Sequence, residues 1–333
     1  MSSNPVVIEV TRGPVVESRH EGIAAVVKAD GSVVASWGDI DAVILPRSAN
    51  KPIQAMAFVE SGAVEKFGLG NEHVALSCAS HNGETRHVET VRAWLKKIGL
   101  GESDLECGAH APRLQASIEA MARDNAVPGQ AFNNCSGKHS GFLSTAVTYG
   151  EPTKGYIKYD HPVQRRLRAV MTDLCGANAD DFQHGTDGCG IPTLATPLKS
   201  LARAMASMAD PSRLSSKHAD AATRIRAAMN AEPFMVAGTG RFCTRVNGAM
   251  TGVAQVKTGA EGVFCGMLPT LGLGIAIKMW DGAGRAAEVA MAALLDHLGV
   301  LPAAEKEALE TPAIKNVVGL LVGEMRPAKS WIG

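Results

Sequence analysis

The sequence predicts a mixed α/β fold in which one central antiparallel sheet is assembled from both ends of the chain around an inserted helical region. Three features predict it. Residues 5–47 read as strands, residues 48–234 read mostly as helices, and residues 235–333 return to strands before a closing helix. With no internal repeat and no low-complexity linker, the 333 residues read as a single two-layer catalytic unit.

The first strands are VVIEV and GIAAVVKADGSVVASWG, where Asp30-Gly31 between two β-branched runs marks a hairpin turn. In the middle region Val88, Val91, Leu95 and Ile98 keep a helical period that stops at Gly99. Val163, Leu167, Val170 and Leu174 do the same between Pro162 and Gly176, with proline at the start and glycine past the end. MTGVAQVKTG, EGVFCGML and GLGIAIKMW are the returning strands, and a helix follows with Ala286, Val289, Ala293, Leu294 and Leu298 on one face. A sheet facing a helical layer predicts a cleft, the usual place for a small-molecule site.

Composition narrows the partners. Hydrophobic residues are 46% and charged residues 20% of the chain, and no run approaches the roughly 18 apolar residues of a membrane span. The opening MSSNPVVIEVTRG carries neither a basic nor an apolar signal segment, so a cytoplasmic protein without a membrane partner is expected. Thirty-three basic residues against 33 acidic ones leave no net charge to attract nucleic acid, which points to a small-molecule substrate. Seven cysteines, an odd number in such a chain, argue against a disulfide framework. Cys78, Cys107, Cys175, Cys243 and Cys265 read as small buried thiols. Cys135 and Cys189 stand in polar glycine loops, NNCSGKHSG and TDGCGIP, that suit a ligand or a nucleophile.

Reactive side chains gather where strands give way to helices. PRSANKP holds Ser48 three residues before Lys51, on one helical face, so the amine can serve as base for the hydroxyl. Lys257-Thr258-Gly259 ends the first returning strand, and SCASHNGE places Ser80, His81 and Asn82 between the two motifs. Spacing alone favours zinc held by Cys135, His139 and Cys189, with Asp187 completing a tetrahedron. Gly282-x-Gly284-x-x-Ala287 has the form of a dinucleotide fingerprint, but no clear second strand follows to complete a βαβ unit.

The order of Ser-x-x-Lys, Ser-x-Asn and Lys-Thr-Gly resembles the serine β-lactamase, penicillin-binding-protein and glutaminase fold. PRSANKPIQA, SCASHNGE, NNCSGKHSGFL, TDGCGIPT and KTGAEGVFC together resemble the asparaginase II family, the rhizobial-type or class 3 L-asparaginases, and agreement continues to DGAGRA. The resemblance implies a cytosolic homodimeric amidohydrolase that converts L-asparagine to L-aspartate and ammonia. It implies two facing pairs, Ser48 with Lys51 and Ser80 with Lys257. It also implies one Zn²⁺ per subunit on Cys135, Lys138 and Cys189, with His139 either beside the metal or in the place of Lys138.

Amide hydrolysis needs a nucleophile, a base that later protonates ammonia, and donors for the oxyanion. Ser48 is expected to attack and Lys51 to take its proton, with Lys257 lowering the Lys51 pKa and Ser80 relaying a proton or attacking first. Arg47, His139, Asp187 and Asn82 are the substrate-binding candidates. A glutaminase or another amidase of the same fold is the alternative enzyme, and a zinc or thiol sensor is the non-catalytic one.

Overall fold

The computed structural model describes residues 4–332. Eight strands form the main sheet: β1 (Val6–Arg12), β2 (Val15–Lys28), β3 (Val33–Trp37), β4 (Gln255–Thr258), β5 (Val263–Leu268), β6 (Leu273–Met279), β7 (Ala313–Lys315) and β8 (Leu321–Pro327). Their order is β7-β8-β1-β2-β6-β5-β4, with β3 also on β2, and the pairings are antiparallel. Both chain ends therefore build one sheet, as the sequence predicts. The junction is β2, whose first half pairs with β1 and whose second half lies between β3 and β6, with Val26 opposite both Ala35 and Ile275. At the β2–β3 hairpin Gly31 has φ 89°, a left-handed turn position that suits glycine.

The principal inserted helices are α1 (Lys51–Glu60), α2 (Asn71–Ser77), α3 (Thr85–Lys97), α4 (Ser136–Tyr149), α5 (Pro162–Cys175), α6 (Leu198–Ala209), α7 (Ser216–Ala231) and α8 (Phe242–Ala249). α9 (Gly284–His297) follows β6. The periodic residues of α3 and α5 face the core, and Gly99 and Gly176 end these helices in left-handed conformations. None of the described helices is long and apolar enough to cross a membrane.

Two features differ from the sequence-based expectation. The central strands are covered on both faces: a Cβ on Gly274 would meet Ala202 O of α6 at 2.1 Å, whereas Gly266, on the opposite pleat, faces Met291 of α9. Burial on both sides explains why β5 and most of β6 read as continuous apolar runs. The second feature is that the chain does not end on a helix. β7 and β8 come after α9, and β8 carries no burial alternation that would mark it as a strand in the sequence. Because β8 joins β1 rather than β6, the glycine motif between β6 and α9 belongs to no βαβ unit.

On the helical side His218 of α7 bridges two other helices. Its Nδ1 lies 2.6 Å from Glu60 at the end of α1 and its Nε2 lies 3.0 Å from Asp173 of α5. The Glu60 hydrogen bond, followed by that of Asp173, raises the imidazole pKa above its ordinary value. A raised folded pKa stabilises the fold fully below the unfolded value of about 6.5, and that contribution disappears as pH climbs through the folded value. Thermal unfolding should therefore show His218→Gln well below wild type at pH 6 and close to it at pH 9. A pH-independent gap would contradict the bridge.

Candidate active site

The site forms where α1, the segment after α2, and β4 meet. Register places Lys257 of β4 opposite Cys265 of β5, on the same sheet face as Gly274, so its side chain points toward the inserted helices. Lys51 opens α1 after the 3₁₀ turn of Arg47–Asn50, with Pro52 at the helix start. Ser80 follows α2, and its backbone N–H is held by Val236 O at 3.0 Å. All three side chains are buried.

Their heads converge. Lys51 Nζ lies 3.1 Å and Lys257 Nζ 2.9 Å from Ser80 Oγ. Lys51 also donates to Ala79 O and to Asn134 O, the latter at 3.5 Å, while Lys257 donates to Thr258 O at 2.6 Å. A neutral amine has two N–H donors and one lone pair, so the two carbonyls can take the Lys51 hydrogens and leave the lone pair for the Ser80 O–H. Burial lowers the pKa of both lysines, and the neighbouring Lys51 further lowers Lys257, to about 7. Ser48, in the 3₁₀ turn and half-buried, accepts the Lys51 backbone N–H at its carbonyl, but among the described residues its hydroxyl makes no hydrogen bond to the Lys51 amine. The expected Ser80–Lys257 contact is present, and Lys51 reaches Ser80 rather than Ser48.

A second cluster joins Cys135, Lys138 and Cys189. Cys135 caps α4, and Cys189 lies in the turn between two paired segments, His184–Thr186 and Pro192–Leu194. The Lys138 amine donates to Cys189 Sγ at 3.2 Å. Cys189 is lowered to about 5 by the Cys135 thiol hydrogen-bonded to it and, against burial, by Lys138. Cys135 is pushed up to about 12 by its hydrogen bond to Cys189 and by burial. Burial disfavours the Lys138 charge, but Cys189, Cys135 and Asp187 more than offset it and raise its pKa. The result is a buried ammonium–thiolate pair beside one neutral thiol.

No group of three His, Cys, Asp or Glu residues suited to a metal exists among the described residues, which corrects the tetrahedron that spacing alone favours. His139 turns elsewhere. Its Nδ1 lies 2.8 Å from Tyr156 OH, which accepts the Glu106 N–H at 2.8 Å. With both phenol roles assigned, Tyr156 donates to Nδ1 and His139 Nε2 carries the proton, a buried donor without a partner. Burial holds this imidazole at about 3, hence neutral.

The other substrate candidates sit in two settings. Arg47, at φ 52°, occupies the left-handed region that is costly for a side chain other than glycine, and its Nε pairs with Asp187 Oδ2 at 3.1 Å. Asn82 spends its amide within the protein: Nδ2 donates to Glu84 Oε1 (3.1 Å) and Thr239 O (3.0 Å), and Oδ1 accepts from Arg241 (3.0 Å). Asn82 therefore clasps residues 80–84 to residues 237–241. Sequence reading did not find Arg241, Tyr156 or the His81–Ser136 contact of 2.9 Å that ties the Ser80 segment to α4. Their partners lie 17 to 161 residues away, beyond the few-residue reach of local pattern.

Buried lysines and the buried Ser80 meet at the seam of a sheet made from both chain ends, and the family match makes the protein an amidohydrolase. The chain belongs to the L-asparaginase II family, which residues 8–327 match. No curated protein matches the sequence. Similar solved structures include a β-lactamase from Mycobacterium bovis (15% identity, covering 83% of this chain and 94% of that one, TM-score 0.40). Mglu in its native form is another (15% identity, 91% and 71% covered, TM-score 0.48). The octameric penicillin-binding protein homologue from Pyrococcus abyssi is a third (18% identity, 86% and 75% covered, TM-score 0.43).

Gly137 allows the two clusters to approach. A Cβ on it would stand 2.2 Å from Leu76 O, so α4 packs backbone against backbone on the end of α2, just before Ser80. Gly137→Ala should cost about 1–3 kcal/mol and lower Tm by several degrees, because the obstruction is backbone and cannot rotate away. A wild-type melting curve would refute this packing.

Proposed function

We propose that the protein hydrolyses the side-chain amide of L-asparagine to L-aspartate and ammonia, with Ser48 as nucleophile and Lys51, Ser80 and Lys257 as its proton-handling array. One observation carries the proton-handling array, the buried Ser80 hydroxyl within 3.1 Å of two lysine amines whose pKa values are lowered, while the role of Ser48 rests on its Ser-x-x-Lys motif. Ser48 attacks the amide carbon as its proton passes to neutral Lys51. The tetrahedral centre collapses, the C–N bond breaks, and ammonia leaves with the proton that Lys51 held, leaving a β-aspartyl ester on Ser48. Water then attacks the ester and gives its proton to the array, which returns it to the Ser48 oxygen as the ester C–O bond breaks and aspartate leaves. Ser80 links the two amines, so the proton load is shared between them rather than fixed on one. Arg47 faces the substrate α-carboxylate, Asp187 its α-ammonium, and the unpartnered His139 Nε2–H supplies a neutral donor.

A second reading makes Ser80 the nucleophile, favoured by its direct hydrogen bonds to both amines. Adduct mapping separates the two. Enzyme quenched during turnover should carry a β-aspartyl group on the peptide containing Ser48, and Ser48→Ala should lose at least about a thousandfold in kcat while remaining folded. An adduct on the Ser80 peptide reverses the serine roles. A coupled ammonia assay with asparagine, glutamine and a β-lactam tests the substrate, and preference for glutamine would make the protein a glutaminase.

Zinc is part of the proposal. Two sulfurs and one amine already meet in a buried cluster, and a donor set rich in thiolate suits Zn²⁺. Cys135, Lys138 and Cys189 would hold it after Cys135 and Lys138 lose their protons, so affinity would rise with pH. The ion would supply a fixed positive charge that orients the substrate. Elemental analysis should find one zinc per subunit in wild type and substoichiometric zinc in Cys135→Ala and Cys189→Ala. Full retention in either variant would refute the ligand set.

A further inference from the structure

We infer that Arg241 is a positioning residue of this site, holding the Ser80 hydroxyl between the two lysines and placing a guanidinium near Lys257; the inference rests on the reaction proposed above. Arg241 lies just before α8, and its Nη1 donates to the Ser80 carbonyl at 3.3 Å and to Asn82 Oδ1 at 3.0 Å. Those contacts bracket the residue that the lysines share. The backbone N–H groups of Ser80 and Asn82 are tied to Val236 O and Ala237 O, and Asn82 Nδ2 reaches Thr239 O. Arg241 thus completes a set of contacts that fixes residues 80–82 against residues 236–241. A shift of about 1 Å in such a group is enough to cost roughly a hundredfold in rate.

The groups that face Lys257 besides Arg241 are Lys51 on α1, Cys78 after α2, Cys135 before α4, Cys243 on α8 and Cys265 on β5. Burial raises the Cys78, Cys243 and Cys265 thiols, so none of these three offers Lys257 a negative charge near neutrality. Lys51 titrates along with Lys257. Arg241 makes no salt bridge among the described residues, and its hydrogen bonds go to neutral acceptors, the Ser80 carbonyl and the Asn82 amide oxygen. Glu288 of α9 also faces it, and burial disfavours the charge of that carboxyl.

The test compares full-length Arg241→Gln and Arg241→Lys with wild type. In protein carrying ¹³C at lysine Cε, the Lys257 signal, identified by its loss in Lys257→Met, reports its titration without substrate. Its midpoint should rise by about half a pH unit or more in Arg241→Gln and stay near wild type in Arg241→Lys. For asparagine, Arg241→Gln should lose about tenfold or more in kcat with little change in KM, and the acid limb of its pH profile should move to higher pH by the same amount. An unmoved Lys257 midpoint in Arg241→Gln overturns the inference whatever the activity. If that variant does not fold, Arg241→Lys decides: reduced kcat at an unchanged midpoint supports the positioning role, and wild-type kcat overturns it. Lack of asparagine turnover by the wild type would refute the reaction and still leave the titration readable.

Discussion

Three lysines, Lys51, Lys138 and Lys257, are buried close together, and among the described residues none of them forms a salt bridge with a carboxylate. Removing an ammonium from water costs several kcal/mol unless it is paired or loses its proton. The protein uses both routes. Lys138 keeps its charge against the Cys189 thiolate, whereas Lys51 and Lys257 are driven toward the neutral amine. The same low-dielectric interior therefore holds an ammonium in one cluster and drives two amines toward neutrality in the next.

The backbone around the cleft keeps those assignments apart. Glycine at position 137 lets α4 approach the end of α2, so the thiolate cluster sits beside the serine array. Neutral, buried His81 bridges Ser136 and the Gly83 N–H, joining the two loops without adding charge. The Arg47–Asp187 pair ties the turn before α1 to the loop that carries Cys189, and the backbone at Arg47 is strained. Lys51, Ser80 and Lys257 come from three distant parts of the chain, so the site exists only when the helical insertion is seated on the sheet.

Much of this was legible in the sequence because short-range rules govern it. The Asp30-Gly31 turn, the periods ending at Gly99 and Gly176, and the serine, lysine and cysteine motifs all depend on neighbours within a few residues. What escaped is non-local. β8 owes its place to pairing with β1 and shows no pattern of its own, so the C-terminal segment reads as irregular. His139 has zinc-like spacing to Cys135, but its ring is claimed by Tyr156, seventeen residues on. The contact that makes Arg241 matter spans 159 residues to Asn82 and leaves no trace in the text around it.

The pairing of β2 with β6 has a consequence for synthesis. Ala25 must wait for Ala276, about 250 residues later, to complete the centre of the sheet. At a translation rate of roughly 5–20 residues per second, the apolar run GIAAVV leaves the ribosome on the order of tens of seconds before its partner. During that interval only β1 and β3 can shield it, and the helices of the insertion emerge with no completed sheet to dock on. The centre of the sheet therefore stays half-paired through most of synthesis, a delay that arises from strand order rather than from the stability of the finished fold.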